Sequence, residues 1–512
     1  MTASVRSTRN LLTIGRGLAI NAARLPNKMA VSSKIQALTY SELDDAANRL
    51  ANLLASQGAS RGQNIGLMVG NSIEHVIALY ACARLGAAAV VIDPKWVERE
   101  VANALEQFDC GLFVVDEALC AADVVAKARV GIATIRLNSA DPRALNKLLG
   151  GFPDTQPDSG VEDDDIFVIM LTSGTTGQPK GCLSSHRVYS HSVSIGAMGM
   201  PVREHAKELI VVPIYLNSGR SSLISQLYVG ATVYLRDRFD PAEALELIES
   251  ERITCLALAP PQCVALLQHP DLERRDTSSL EMLRKAGLPF ALRTVREIIE
   301  RVTPNLYQGY GGTEFSAGAQ LYPQEQLTKL GAAGRALPGV EIDIVDDERI
   351  PLSPGEQGEI RVRSASICLG YFNNPEQSDA TFEDGWYYSG DLGKIDQDGY
   401  LYVTGRKKDM VKTGGINVSP REIENVFLAF PEVEDVAVIG VPDDKWGEAL
   451  KALVVLADGE RLTYEDIVER CDAVLTRYKI PKTVDFVASI PRNALGKITA
   501  DFIASIVEPG RG

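Results

Sequence analysis

Residues 171–181 read L-T-S-G-T-T-G-Q-P-K-G and hold four hydroxyls, three glycines and one lysine in eleven positions. An apolar run over 166–171 leads into them. These residue types after a buried strand suit a phosphate. Glycines such as Gly174 and Gly177 let backbone N–H groups turn toward one anion, the hydroxyls of Thr172, Ser173, Thr175 and Thr176 add donors, and Lys180 adds a mobile positive charge. The spacing is not the G-x-x-x-x-G-K-[ST] of P-loop NTPases, so that assignment fails. A Ser/Thr/Gly-rich stretch is, by itself, equally an ordinary loop.

The surrounding chain reads as an α/β scaffold. Thr39-Tyr40-Ser41-Glu42 is a capping box that opens an amphipathic helix with Leu43, Ala46, Ala47, Leu50, Ala51 and Leu54 on one stripe, and Gly58 is placed to stop it. Apolar runs at 65–69, 88–92 and 112–115 alternate with helices from about Ser72 and over 98–108. The alternation resumes after the phosphate stretch, with strands near 209–212, 231–235 and 255–259 and helices near 219–228, 241–250, 261–268 and 290–302. Alternation of this kind predicts parallel sheets covered on both faces. From 340 to 362 the period shifts toward two, around the turn Ser353-Pro354-Gly355, which predicts a small antiparallel β subdomain. A new unit begins after Gly405-Arg406-Lys407-Lys408-Asp409, with helices at 420–430 and 463–476 and strands at 436–441 and 453–456.

Composition narrows the function classes. A chain of 512 residues exceeds one hydrophobic core, so two or more domains are expected. A net charge of −15 argues against a nucleic-acid partner, and a polyanionic ligand must be met by local basic groups. Eight scattered cysteines without a C-x-x-C pair, and five histidines without a ligand motif, point to reduced thiols in a cytoplasmic protein. No transmembrane segment is expected, because the longest apolar candidate, 78–92, is interrupted by Arg84 and reads as helix–turn–strand. The acid-poor N-terminus has two readings, an organellar transit peptide or a surface helix over 10–23 with Leu11, Ile14, Leu18 and Ile20 facing the core. The helix is preferred, because the chain enters a well-formed domain directly afterward.

Four further stretches, taken with 171–181 and in this order, resemble the motifs of the adenylate-forming superfamily, which includes acyl- and aryl-CoA ligases, peptide-synthetase adenylation domains and beetle luciferases. They are Gln308-Gly309-Tyr310-Gly311-Gly312-Thr313-Glu314, Gly385-Trp386-Tyr387-Tyr388-Ser389-Gly390-Asp391, the hinge segment 405–420, and Pro491-Arg492-Asn493-Ala494-Leu495-Gly496-Lys497. The resemblance implies a large N-terminal AMP-binding domain over 1–407 and a small mobile α+β domain over 408–512 carrying the catalytic Lys497. It implies that Thr172, Ser173, Gly174, Thr175, Thr176, Gly177 and Lys180 orient the β- and γ-phosphates. Gln308, Gly309 and Gly311 join the nucleotide site, Tyr310 lies against the adenine face, Thr313 binds the α-phosphate, and Asp391 and Arg406 meet the ribose. Glu314 becomes the Mg²⁺ ligand, Lys408 the hinge, and Lys412, Gly414 and Gly415 the face along which the pantetheine arm of coenzyme A passes.

The implied reaction is ATP-dependent joining of a carboxylic acid to CoA through an acyl-adenylate. The alternatives are a ligase that loads a carrier-protein pantetheine in trans and a catalytically silent homologue. Only fifteen residues follow Lys497, so free CoA is the expected acceptor. The expected partners are the acid, ATP and CoA, with a homodimer left open. The acyl pocket is expected around Tyr215, Leu216, Asn217, Gly219, Gly287, Gly312 and Phe315. Two departures stand out: Leu216 replaces the family's gating histidine, and 286–289 breaks the usual G-G-A-P-L order. Gly312 is read as room for a bulky acyl group. Arg220 is read either as a surface or inter-loop partner or as a salt-bridge donor to a second carboxylate on the substrate.

Overall fold

The computed structural model describes residues 11–118, 132–172, 179–285, 291–443, 445–492, 498, 502 and 506. Among these residues a six-stranded sheet runs in the order Ala133–Leu137, Cys110–Asp116, Asn64–Met68, Ala88–Val91, Ile166–Thr172, Lys180–Ser185. All pairs are parallel except the last, which is antiparallel. A nine-stranded sheet is parallel from Met29–Ser32 through Thr232–Leu235, Lys207–Ile210, Cys255–Leu258 and Met282–Lys285 to Leu306–Gly312. Antiparallel strands close both its ends. The parallel strands Ala88–Val91, Thr232–Leu235 and Cys255–Leu258 are buried at every position, as strands covered on both faces are.

Local chemistry sets the covering helices. Thr39 and Glu42 form the capping box that starts Tyr40–Ser56. Gly86, at φ 65°, ends Ile73–Leu85 in the left-handed conformation that glycine adopts without strain. Ile73–Leu85 is buried along its whole length, packed with Ile14–Arg24 and Tyr40–Ser56 into the largest core. Arg84 is buried with it, paired to Asp44. The N-terminal helix begins at Ile14, so only part of its expected face holds: Ile14 and Leu18, one turn apart, are buried, whereas Leu11 and Ile20 are exposed. Leu11 precedes the helix, and Ile20 lies off the stripe that Ile14 and Leu18 define.

The expected antiparallel subdomain is a five-stranded sheet built on Val340–Val345, Gly358–Ser364 and Trp386–Ile395, with Phe382–Glu383 and Leu401–Arg406 pairing onto Trp386–Ile395. A small C-terminal unit holds a fourth sheet, of Val411–Thr413, Ile416–Val418, Val433–Asp443, Gly447–Leu456 and Thr483–Phe486. Its central strands outrun the apolar cores read from sequence, because the two continue as one hairpin past Val441 and Ala449. Its helices Pro420–Phe427 and Tyr464–Asp472 are shorter than read. The seven described cysteines are buried. No helix among the described residues is long and apolar enough to cross a membrane.

Two histidines sit inside this scaffold. His75 Nδ1 donates to Val69 O at 2.7 Å, and His186 Nδ1 accepts from Ile14 N at 3.2 Å. Burial pushes both imidazoles down from 6.5 to about 4. The unfolded chain therefore binds these protons before the fold does, so each histidine removes about 1.4 kcal/mol of stability per pH unit as pH falls from 6.5 toward 4. Urea unfolding at pH 7, 6 and 5 is expected to show a shallower loss in His186→Asn, which keeps an acceptor for Ile14 N, than in the wild type. Equal slopes in the two proteins would rule out a buried neutral His186.

Candidate active site

The phosphate stretch is a hairpin whose arms are Ile166–Thr172 and Lys180–Ser185, with Thr172 paired across from Lys180. Ser173, Gly174, Thr175, Thr176 and Gly177, at its tip, lie outside the described residues. The second arm is clamped on its other side. Cys182 pairs with Tyr371 in an antiparallel bridge, Phe372 N donates to Gly181 O at 2.8 Å, and Leu369 N donates to Leu183 O at 2.8 Å. Gly181 permits this packing: a Cβ there would overlap the Phe108 ring and lie 2.7 Å from Ile169 Cγ2.

Tyr371 connects this hairpin to a second one. Lys180 Nζ stands 5.1 Å from the centre of the Tyr371 ring, and the Tyr371 hydroxyl donates to Glu314 Oε1 at 3.2 Å. Burial pushes the Tyr371 phenol up, and the Glu314 charge adds to the shift, so the ring stays neutral and donates. Cys368 N donates to the Glu314 carbonyl at 2.7 Å, which holds the backbone of that residue as well. No residue of 368–372 was singled out from sequence, where the only cue was an aromatic after a glycine.

The second hairpin comprises Leu306–Gly312 and Ser316–Leu321. It carries Gln308, Gly309, Tyr310 and Gly311 on one arm, and Thr313 and Glu314, both half-buried, in the turn. Tyr310 donates its hydroxyl to Asp391 Oδ2 at 2.8 Å, and Arg406 Nε donates to Asp391 Oδ1 at 2.6 Å. Asp391 and Arg406 face each other on paired strands, which places the guanidinium beside the carboxylate. Burial pushes the Tyr310 phenol up, followed by the Asp391 charge. Each Asp391 oxygen retains a lone pair after these bonds, so two more hydroxyls can donate to it.

Beneath Tyr310 the Phe315 ring lies 5.1 Å away and packs on Tyr387 at 5.5 Å. A Cβ at Gly312 would come within 2.5 Å of that ring. The absent side chain at Gly312 therefore admits the Phe315 ring. Phe315 itself is buried in the core under the hairpin.

Leu216 is the N-cap of the helix Asn217–Val229, and Tyr215 stands half-buried just before it with its phenol pushed up to about 12 by burial and the Asp93 charge. At Gly219 a Cβ would run into the Pro213 carbonyl, so the turn into this helix requires glycine. Arg220 is buried, which removes the reading of it as a surface residue. Gly287 lies outside the described residues, but Lys285, at the start of its loop, donates to Gln308 Oε1 at 3.0 Å. Burial pushes the Lys285 ammonium well down, and Arg421 of the C-terminal unit adds to the effect.

The described hinge and CoA residues are separate from this cluster. Lys408 is exposed in the short turn Lys407–Asp409, while its neighbour Lys407 is tied to Asp347 and Glu359, each at 3.0 Å. Lys412, Gly414 and Gly415 are exposed on the hairpin of Val411–Thr413 and Ile416–Val418, with Gly414 at φ +59° packed against the ring of Trp446. Among the described residues no hydrogen bond or ion pair joins them to Tyr310, Glu314, Asp391 or Arg406. Lys497 lies outside the described residues; Arg492, five positions before it, is held by Asp435 at 2.8 Å.

Comparison with known proteins places these motifs in context. Residues 18–372 match the AMP-binding enzyme family, and residues 422–497 match the AMP-binding enzyme C-terminal domain. The chain is 33% identical over 491 residues to an indoleacetate–CoA ligase of Aromatoleum aromaticum, covering 94% of this chain and 96% of that protein. It is 34% identical over 495 residues to the long-chain-fatty-acid–CoA ligase FadD13 of Mycobacterium tuberculosis, covering 93% and 96%. Its structure resembles that of the anthranilate CoA ligase AuaEII in complex with anthranoyl-AMP, with a TM-score of 0.88, 27% identity and 99% of each chain covered.

The close packing at Gly181 gives a direct test. Gly181→Ala forces the Phe108 ring or the strand to move, and is expected to lower unfolding stability by about 1–3 kcal/mol. An unchanged denaturation midpoint would mean that the clamp on the phosphate hairpin is looser than drawn here.

Proposed function

The chain belongs to the AMP-binding enzyme family, and from that membership we infer that it is an AMP-forming acid–CoA ligase. It consumes ATP and a carboxylic acid to make an acyl-adenylate, and then an acyl-CoA thioester. The observation that carries the residue-level reading is the Lys180–Tyr371–Glu314 contact. It brings a phosphate-seeking lysine and a hard carboxylate from two separate hairpins to one ring.

A carboxylate resists attack at its carbonyl because resonance and negative charge oppose a nucleophile. In the first step a carboxylate oxygen attacks the α-phosphorus of ATP, the bond from that phosphorus to the bridging oxygen breaks, and pyrophosphate leaves. Thr172, Ser173, Thr175, Thr176 and Lys180 hold the β- and γ-phosphates, and Thr313 holds the α-phosphate. Tyr310 lies against the adenine, and Asp391 accepts the ribose hydroxyls with Arg406 beside it. This fixes the nucleotide for in-line transfer. Glu314 fits Mg²⁺: Tyr371 fixes one carboxylate oxygen, no described hydrogen bond occupies the other, and Mg²⁺ favours one or two carboxylates together with phosphate oxygens. The ion supplies charge neutralisation on the phosphates. In the second step the thiolate of CoA attacks the acyl carbonyl and AMP leaves.

The chain divides at Lys408. Lys497 serves the first step by donating to the carboxylate and bridging oxygens, and rotation about Lys408 then replaces it with the face of Lys412, Gly414 and Gly415. The relatives' names give a carboxylic acid, indoleacetate or a long-chain fatty acid, as the group joined to CoA, which supports a carboxylic acid as the substrate class here. Use of ATP and free CoA, with buried reduced thiols, supports a cytoplasmic enzyme.

Pyrophosphate release measured with ATP, Mg²⁺ and a panel of carboxylic acids is expected to require the acid, and acyl-CoA is expected to form only when CoA is added. Acid-dependent release with no thioester would point instead to a carrier-protein acceptor. Lys497→Ala is expected to lower adenylation by about 100-fold or more, as when a transition-state donor is removed, while leaving thioester formation from supplied acyl-adenylate largely intact. Equal loss of both half-reactions would remove the proposed division of labour.

A further inference from the structure

Arg220 has a side chain only 1% exposed. The other deeply buried arginines each face an acid: Arg84 pairs with Asp44, Arg236 with Glu243 at 2.6 Å and Arg492 with Asp435 at 2.8 Å. Arg220 faces none among the described residues. Its Nη1 donates to the carbonyls of Ile214 and Tyr215, at 3.5 and 3.3 Å, and its Nε has no partner. Leaving a buried guanidinium without an anion costs several kcal/mol, so a stable fold that retains one needs a compensating ligand.

The direction of the side chain says where that ligand sits. Helical side chains lean toward the helix N-terminus, and Arg220 lies one turn beyond Leu216 and Asn217 on the helix Asn217–Val229. Its guanidinium therefore reaches back to the backbone just before Leu216, the segment expected to border the acyl group. A row of neutral polar groups continues beside it: the Tyr189 hydroxyl bonds Ser221 Oγ at 3.2 Å, and Ser221 donates to Asn217 Oδ1 at 3.2 Å. The His75 Nε2 is likewise buried without a partner. The groups that meet the Arg220 guanidinium are thus neutral: the Ile214 and Tyr215 carbonyls and the Tyr189 hydroxyl.

We propose that the acid activated here carries a second carboxylate, and that Arg220 binds it while the first carboxylate is adenylated. The inference rests on the ligase reading and names the substrate class for that site. A fork of guanidinium N–H groups matches a carboxylate in bidentate geometry. A monocarboxylic acid of equal length would bury its methyl end against an unpaired cation, which the site should reject strongly.

The test pairs each dicarboxylic acid, aliphatic from three to eight carbons and aromatic, with the monocarboxylic acid in which a methyl group replaces the distal carboxylate. AMP formation with ATP, Mg²⁺ and CoA is followed for the wild type, Arg220→Met and Arg220→Lys. The wild type is expected to favour its best dicarboxylate over the methyl partner by about 100-fold or more in kcat/KM. Arg220→Met is expected to reduce that preference to below about 10-fold, Arg220→Lys to retain part of it, and Arg220→Met to unfold at an equal or higher temperature, since a buried unpaired charge is gone. Wild-type turnover of monocarboxylic acids at rates equal to or above those of the dicarboxylates would overturn the inference and keep the ligase reading, whether or not the variants fold. A lower melting temperature in Arg220→Met with the dicarboxylate preference intact would overturn it too, making Arg220 a brace for the Ile214 and Tyr215 carbonyls. No acid-dependent AMP formation in either series would overturn both readings.

Discussion

Negative charge on a nucleotide has to be met by groups drawn from separate parts of a chain that is itself strongly acidic, and the ring of Tyr371 is where they are held together. Lys180 lies over its face and Glu314 accepts its hydroxyl. Its backbone bridges to Cys182 on the phosphate hairpin. Without this wedge the lysine and the carboxylate would belong to two independent hairpins from two different sheets. With it, a displacement of either hairpin is felt at the other, which is what a site that must close on one triphosphate requires. Close packing on the far side, where Gly181 admits Phe108, leaves the hairpin little freedom to drift.

Asp391 is the proposed counterpart at the sugar end. Its two oxygens are fixed in advance by Tyr310 and Arg406, so its remaining lone pairs already point in set directions before a ribose arrives. Arg406 closes the strand Leu401–Arg406, and the chain turns at once through Lys407–Asp409 into the C-terminal unit. One arginine thus stands at the proposed ribose site and beside the proposed pivot. Lys407 is anchored to Asp347 and Glu359, whereas Lys408 is exposed, and this contrast locates where backbone rotation costs least.

Much of this architecture is legible in the residues taken one after another. Apolar runs of four to seven residues between amphipathic stretches give the strands and helices of both large sheets, and capping residues such as Thr39 and Gly86 mark where helices start and stop. Errors collect where a neighbour decides. Ile20 reads as a core residue and lies exposed. The strands Val433–Asp443 and Gly447–Leu456 run past their apolar centres because each completes the other's hydrogen bonds.

The reaction class follows from the resemblance of five short motifs in order to those of one family, and the strands and helices follow from local patterns such as capping boxes and strand–helix alternation. Partnerships across the fold do not. Tyr371 meets Glu314 from 57 positions away, and Tyr310 meets Asp391 from 81. Nothing in either stretch specifies the other, because the distance between them is set by how the sheets pack. The same holds for Gly312, whose missing side chain makes room for Phe315, and for Arg220. Whether that arginine is solvated or buried without an anion depends on the helices that enclose it, and burial is a property of the assembled core.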